Sequence, residues 1–547
     1  MAMLLKHGRD GLRSMASHDK ICSTAEPSRK LRLQPLISGV LLAAISMACA
    51  LGASNDPIFT PPAEPVVSLS TEETASLPFF APTPTDGVIV DPTSTPEDFT
   101  PTQTPVNLTP YLYTTIAGDT IKAVAVRFGV DPAEIISPDI NPIPETSLLA
   151  PNTYLIIPNR LGNTTSSQRL IPDSEIVFSP SAINFDIQAF ANEAGGYLST
   201  YQEYLKSTGN TSGADIIARV ARDNSINPHL LLGLLEYQSG WVYGQPGNLA
   251  LKEYPMGIID LSKRGLYTQL TWAVKEIMIG YYGWREGLLT DLYFPDGVSA
   301  RFAPDLNAGT VALQYFFSRN YDTNGWVQAL DLVDGFPALY TRMFGDPWVR
   351  ALTVEPLYPP DLEQPPLILP FYVNQLWSYT GGPHGAWEHE GALAAIDFAP
   401  GSLESGCVES DAWIVAAAPG LVVRSERGIV VIDLDGDGYD QTGWALLYLH
   451  VATKHRILKG TQVETGDRIG HPSCEGGQAT GTHLHFARKY NGEWIAADGP
   501  IPFNLSGWIA HAGKAPYEGT LTRDGETVKS SVFSAFESRI TREREEP

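Results

Sequence analysis

The sequence predicts a multidomain α+β chain: a small βααβ module, a mainly helical domain, and a C-terminal antiparallel β-sheet domain. Three observations carry this reading. The 547 residues are too many for one domain and suggest about three or four. Apolar residues recur with helical spacing at Ile121–Phe128 and through the longer segments of 181–355. Beyond residue 366 they form short continuous runs of the strand type.

Taken in order, residues 1–53 read as an export segment. Arg29, Lys30 and Arg32 precede an apolar run from Leu36 to Leu51, the pattern of a secretory signal. The run falls short of the roughly 20 residues that span a bilayer comfortably. It ends in S-M-A-C-A, with Cys49 where a lipoprotein signal places its lipidated residue; Ser46 stands where Leu is usual. Cleavage without lipidation and retention as an anchor are the other readings. Each places the rest of the chain outside the cytoplasm, at the cell surface or secreted, with a membrane touched only through this segment.

Residues 54–110 (T-P-P-A-E-P, A-P-T-P-T-D) are rich in Pro, Thr and acidic residues. Such a composition cannot bury enough apolar surface to fold, and its prolines keep it extended. It reads as a spacer.

Residues 111–159 change character. Asp119 and Thr120 can cap a helix over Ile121–Phe128, and Tyr154-Leu155-Ile156-Ile157-Pro158 reads as a strand. The whole segment resembles a LysM module, with Pro151-Asn152 in place of the usual Gly turn. The resemblance implies binding of N-acetylglucosamine-containing glycan along Gly118, Asp119 and Thr120 and near Ile140 and Asn141. Capping and turn geometry alone is the competing reading.

A linker, 160–180, leads to the helical region 181–355. Its segment A-D-I-I-A-R-V-A-R-D-N-S-I-N-P-H-L-L-L-G-L-L-E-Y-Q-S-G-W is similar to lysozyme-like lytic transglycosylases, whose E-S-G supplies a general acid. Here Gln238 stands at that position and cannot donate a proton as a carboxylic acid does. Glu236 is two residues away, about 200° round a helix. The expectation is a helical domain without glycosidase chemistry. Trp241, Tyr243 and Trp284 either contact glycan or belong to the core.

Residues 366–515 carry the chemistry. His384 (T-G-G-P-H), Asp397 (A-A-I-D-F-A), His450 (L-Y-L-H), His483 and His485 (G-T-H-L-H-F) all sit in strand-like contexts. Two positions apart on a strand, His483 and His485 point to one face. A carboxylate inside an apolar run, as at Asp397, needs a partner, and a metal ion supplies one. A catalytic zinc takes three protein ligands and leaves the fourth position for water.

These residues resemble the lysostaphin-type zinc endopeptidases of bacterial cell walls, and their beta-lytic branch in particular. There the first ligand His follows G-G-x and the ligand Asp comes about a dozen residues later. A-A-P-G-L-V at 417–422 and K-G-T-Q-V-E-T-G-D-R-I-G at 459–470 also match. The resemblance implies that His384, Asp397 and His485 hold Zn2+ and that His450 and His483 are catalytic. His389, preceded by A-W-E, is the alternative first ligand. Tyr448 lies two before His450 and would share its strand face, either bonding to the site or packing as a strand aromatic.

Asp433, Asp435 and Asp437 have the spacing of the first ligands of a calcium loop, with Trp444 where that loop needs Glu. A small Ca2+ site and an acidic solvated turn both remain open. Cys407 and Cys474 lie in the same domain, and export favours a disulfide between them over two free thiols. Residues 516–547 read as a short strand pair and a frayed tail.

The net charge of −24 argues against nucleic acid or an anionic membrane as the main partner. The expected partner is peptidoglycan, through its peptide and its glycan. The leading expectation is an exported zinc endopeptidase acting on stem peptides or cross-bridges. A catalytically silent wall-binding or regulatory protein and a glycan-cleaving enzyme working through the helical domain are the alternatives.

Overall fold

The computed structural model describes residues 109–387 and 391–544. The export segment with Cys49, most of the spacer, and the stretch holding His389 lie outside the described residues. Among the described residues no helix is long and apolar enough to cross a membrane.

The first module pairs β1 (Tyr111–Thr114) antiparallel with β2 (Tyr154–Ile157). Between them α1 (Ile121–Phe128) buries Ile121, Val124, Ala125 and Phe128 against the sheet. Thr120 Oγ1 caps it, accepting from Ala123 N at 3.2 Å, and Gly129 closes it at φ 65°. The second expected helix is a single 3₁₀ turn, Pro132–Glu134. It stops there because Ile136 turns back to bridge Ile156.

The helical region contains α2 (Gly213–Asn224), α3 (Pro228–Ser239), α4 (Leu266–Arg285) and α5 (Ala308–Asn320). Trp241 and Trp284 are core residues of it, and Tyr243 is half exposed. The expected linker differs from the sequence reading. Leu170, Ile171, Ile176 and Val177 enter the helical core, and Glu175 between them is fully buried, held by Arg350 Nη2 at 2.9 Å. The partners of Asp173 and Glu175, Arg285 and Arg350, come from distant parts of the chain.

The C-terminal domain is built on a nine-stranded antiparallel sheet. Its strands are β3 (Leu376–His384), β4 (Ala395–Pro400), β5 (Gly420–Glu426), β6 (Ile429–Asp433), β7 (Trp444–Leu449), β8 (Gln462–Val463), β9 (Leu484–Tyr490) and β10 (Glu493–Trp494). Further along, β11 (Trp508–Ala512), β12 (Gly519–Arg523) and β13 (Glu526–Lys529) belong to a smaller four-stranded sheet. Finally β14 (Arg539–Thr541) returns to the large sheet as its edge. The spatial order is β8-β5-β6-β7-β9-β4-β3-β14, with β10 paired to β9. Thus 516–544 is structural: it supplies the β12–β13 pair and an edge strand.

Strand alternation divides this sheet into two faces. Val430, Ile432, Leu446, Tyr448, Leu484, Phe486, Ile396 and Phe398 point to the domain's own core. Ile429, Val431, Leu447, Leu449, Ala487 and Ala395 point the other way, into a core shared with α2, α3, α4 and α5. Polar contacts seal this junction. Trp494 Nε1 donates to Asn224 O at 3.1 Å, and Tyr281 Oη to Glu493 Oε2 at 2.9 Å. Asp223 pairs with Arg424 and Arg427. Arg285 touches all three parts: Glu493 at 3.0 Å, Asp173 at 3.0 Å, and the carbonyl of Ala117.

Candidate metal centre

The face shared with the helical region also carries the site. On β9 His485 sits directly across from Asp397 of β4, and Asp397 across from Gly381 of β3. The register of β3 against β4 shifts between Gly381 and His384, an irregularity of the kind that re-aims a side chain. Gly381 is required here: a Cβ on it would lie 2.5 Å from Asp397 Oδ2.

His384 Nε2, His485 Nδ1 and Asp397 Oδ1 converge. The two nitrogens are 3.0 Å apart, and each lies 3.3 Å from the carboxylate oxygen. Both imidazoles already use their other nitrogen: His384 Nδ1 donates to Gly382 O at 2.8 Å and His485 Nε2 to Ala386 O at 2.9 Å. A carbonyl can only accept, so those nitrogens carry the protons. Two lone pairs and a buried carboxylate oxygen without a hydrogen bond therefore face one another. A metal cation relieves that arrangement. Tetrahedral zinc with bonds of about 2.0–2.1 Å places its ligand atoms roughly 3.3 Å apart, so the triangle fits zinc. The backbone carbonyls fix tautomer and ring orientation, as outer partners of metal-bound histidines do.

Burial disfavours charge on Asp397, but His384, His485 and His483 around it hold its carboxyl well below the usual range. Burial lowers the His485 pKa; for His384 the adjacent Asp397 outweighs burial and raises it.

His450 and His483 flank this triangle, their ring centroids 4.4 Å apart. His450 Nδ1 donates to Glu475 O at 2.8 Å and His483 Nδ1 to Gly481 O at 2.7 Å, leaving both Nε2 atoms as acceptors. His483 Nε2 is 3.9 Å from Asp397 Oδ1. Burial, then His483 and His485, push the His450 pKa down to about 3, so its imidazole is neutral.

Several expected site residues stand elsewhere. Tyr448 does not share the face of His450, because His450 sits past the strand end at φ 66° and breaks the alternation. The Tyr448 ring is buried against Phe486, and its hydroxyl accepts from Ala417 N at 2.8 Å. Gly118, Asp119 and Thr120 form no open groove. Asp119 is fully buried and accepts from Tyr113 Oη, Ile116 N and Arg127 Nη1 at 2.7, 2.8 and 2.6 Å. Gly118 lies against the Arg285 guanidinium and the Tyr358 ring, and Thr120 is the helix cap. Asp433, Asp435 and Asp437 do come together, one carboxylate oxygen of each within 4.8 Å of the others. Asp433 also accepts from the backbone of Asp435, Gly436 and Gly438, and Asp437 from Tyr439 N and Thr442 Oγ1, as in an acidic turn. Gln238 accepts from Tyr321 Oη at 2.8 Å, and Glu236 is tied to the backbone of Val242 and Tyr243.

Cys407 and Cys474 form a disulfide, with their Cα atoms 5.8 Å apart. One residue escaped the sequence reading. Tyr517, in the loop before β12, stacks on His384 with ring centroids 4.1 Å apart.

Residues 407–497 match peptidase family M23, and residues 169–358 match the LasA N-terminal domain. The chain is a metalloendopeptidase. M23 peptidases are zinc-dependent, in keeping with the converging donors. Protease LasA of Pseudomonas aeruginosa is 27% identical over 339 residues, covering 60% of this chain and 75% of LasA. Among solved structures, the deep-sea M23 metalloprotease pseudoalterin is 23% identical with a TM-score of 0.25, over 30% of this peptidase and 94% of that chain. The lysostaphin catalytic domain from Staphylococcus simulans is 22% identical with a TM-score of 0.17, over 23% of this peptidase and 90% of that chain.

Proposed function

We propose that this peptidase hydrolyses peptide bonds in peptidoglycan stem peptides or cross-bridges, with zinc on His384, Asp397 and His485. The observation that carries the reading is the convergence of two imidazole lone pairs and an unbonded carboxylate oxygen within 3.3 Å. Likeness to Protease LasA and to peptidase family M23 supports the substrate class. Zinc bound there supplies Lewis acidity towards a peptide carbonyl and lowers the pKa of water towards neutral.

The remaining chemistry belongs to the side chains. The free Nε2 atoms of His450 and His483 are acceptors, so either can take a proton from attacking water. Once protonated, the same nitrogen can stabilise an oxyanion or return the proton to the leaving amine. Their carbonyl partners hold both rings for that exchange.

Export through the N-terminal segment and glycan targeting through the LysM-like module complete the reading. Since Gly118–Thr120 are engaged within the fold, glycan would meet the module elsewhere or after undocking.

The test is amine release from purified peptidoglycan by the full chain, beside His485→Ala and a chelator control. Amine release lost in both controls supports the reading. Release of reducing ends without amines would point to the helical region instead and overturn it.

A further inference from the structure

The histidines that are not metal ligands are held by loops, and those loops are joined to each other. Glu475, whose carbonyl accepts from His450, directly follows Cys474. The carboxylate of Glu475 accepts from Thr453 N at 2.8 Å and Thr453 Oγ1 at 2.5 Å, and Ser473 N donates to His450 O at 2.7 Å. Both ends of the His450 turn are thereby fastened to the Cys474 loop.

The partner loop fastens His483. Thr482 N donates to Gly406 O at 3.0 Å. Val408 N donates to Thr482 Oγ1 at 2.9 Å, and that hydroxyl donates to Val408 O at 2.6 Å. Cys407, between Gly406 and Val408, is bonded to Cys474. One covalent bridge therefore links the carbonyl that orients His450 with the segment that orients His483. The metal ligands do not depend on it: His384, Asp397 and His485 stand on β3, β4 and β9, and their outer carbonyls are Gly382 and Ala386.

We propose that the Cys407–Cys474 bridge, with Thr482 and Glu475, is a positioning frame for His450 and His483 that acts separately from the metal ligands. It rests on the proton-transfer role assigned to those histidines above. Thr482, Glu475 and the two cysteines are positioning residues, so their loss lowers turnover and spares metal binding.

The test uses the full chain with Thr482→Val, Thr482→Ser, and the double variant Cys407→Ser with Cys474→Ser. Valine keeps the shape of threonine but removes the hydroxyl that ties Val408 from both sides. The expected result for Thr482→Val and the double variant is a kcat for amine release lower by about tenfold or more, a share of the roughly 10²–10⁴-fold that a positioned acid–base group contributes. KM and zinc stoichiometry stay within about twofold, and Thr482→Ser recovers kcat. Equal kcat in Thr482→Val and Thr482→Ser would overturn the proposal, and so would zinc lost in step with kcat.

A wild-type chain that releases no amine would count against the substrate reading alone. The frame is then read without substrate, from modification of individual histidines by diethylpyrocarbonate, followed by mass spectrometry. Faster modification of His450 and His483 in Thr482→Val than in wild type, with the zinc ligands still protected, supports it. Unchanged rates overturn it.

Discussion

The ring of Tyr517 lies almost flat on the imidazole of His384, centroids 4.1 Å apart and planes 21° apart. Its backbone is in the left-handed region at φ 70°, an uncommon place for a bulky residue. Two hydrogen bonds to β3 keep it there, Gly382 N to Tyr517 O at 2.8 Å and Tyr517 N to Pro383 O at 3.2 Å. An aromatic pair of this kind contributes about 0.5–1.5 kcal/mol. Tyr517→Ala should therefore weaken zinc retention by about two- to tenfold in a chelator competition, and Tyr517→Phe should not. Equal retention in the two variants would remove Tyr517 from the account of the metal site.

Gly381 tests the crowding behind Asp397. Alanine there brings a methyl to 2.5 Å from Asp397 Oδ2. The carboxylate must shift, at the cost of overpacking, about 1–3 kcal/mol. Gly381→Ala should lose zinc and amine release together while the disulfide persists. Full zinc occupancy in that variant would show that β3 yields more easily than its contacts suggest.

Arg285 is the buried cation between Glu493 and Asp173. Arg285→Met leaves two buried carboxylates without it and should destabilise the chain by about 3–5 kcal/mol. Adding Glu493→Leu should restore part of that loss. Urea unfolding of the four-member cycle reads this directly, and strictly additive effects would mean that the pair is not coupled.

The same junction makes stability fall as pH rises. Burial, then Asp498, raises the Glu286 pKa to about 7; burial, then Asp173, raises that of Glu355 to about 7. A carboxyl with a folded pKa above its unfolded value binds its proton more tightly when folded. Its penalty is absent below the unfolded pKa, grows between the unfolded value and the folded value of about 7, and is complete above it. Glu286→Gln and Glu355→Gln should each stabilise the chain by about 1–3 kcal/mol at pH 8 and by almost nothing at pH 4. Equal effects at both values would contradict this assignment.

The convergence of His384, Asp397 and His485 was legible because each sits in a short pattern with a physical reason behind it. H-x-H puts two imidazoles on one strand face, and G-G-P-H with an Asp about a dozen residues later matches a family pattern; the structure adds that Gly381 leaves room for the Asp397 carboxylate. Tyr517 was not legible, since it reaches His384 from a loop whose residues share no spacing with the motif. Tyr448 misled because the strand pattern hides the left-handed backbone at His450. Asp119 looked like a groove residue, yet Arg127 one helix turn pair away and Tyr113 before it draw it inward. Residues 160–180 read as a linker because Arg285 and Arg350, which pair with Asp173 and Glu175, lie far along the chain.

Ile429, Val431, Leu447 and Leu449 on the site-bearing face of the sheet belong to the helical region's core as much as to the sheet's own domain. Heating should consequently melt both in one calorimetric transition. A nick in the stretch after Tyr358 would leave two fragments that co-elute. Activity of the nicked enzyme would then vary with dilution, as it does for any enzyme whose active face is covered by a dissociable partner.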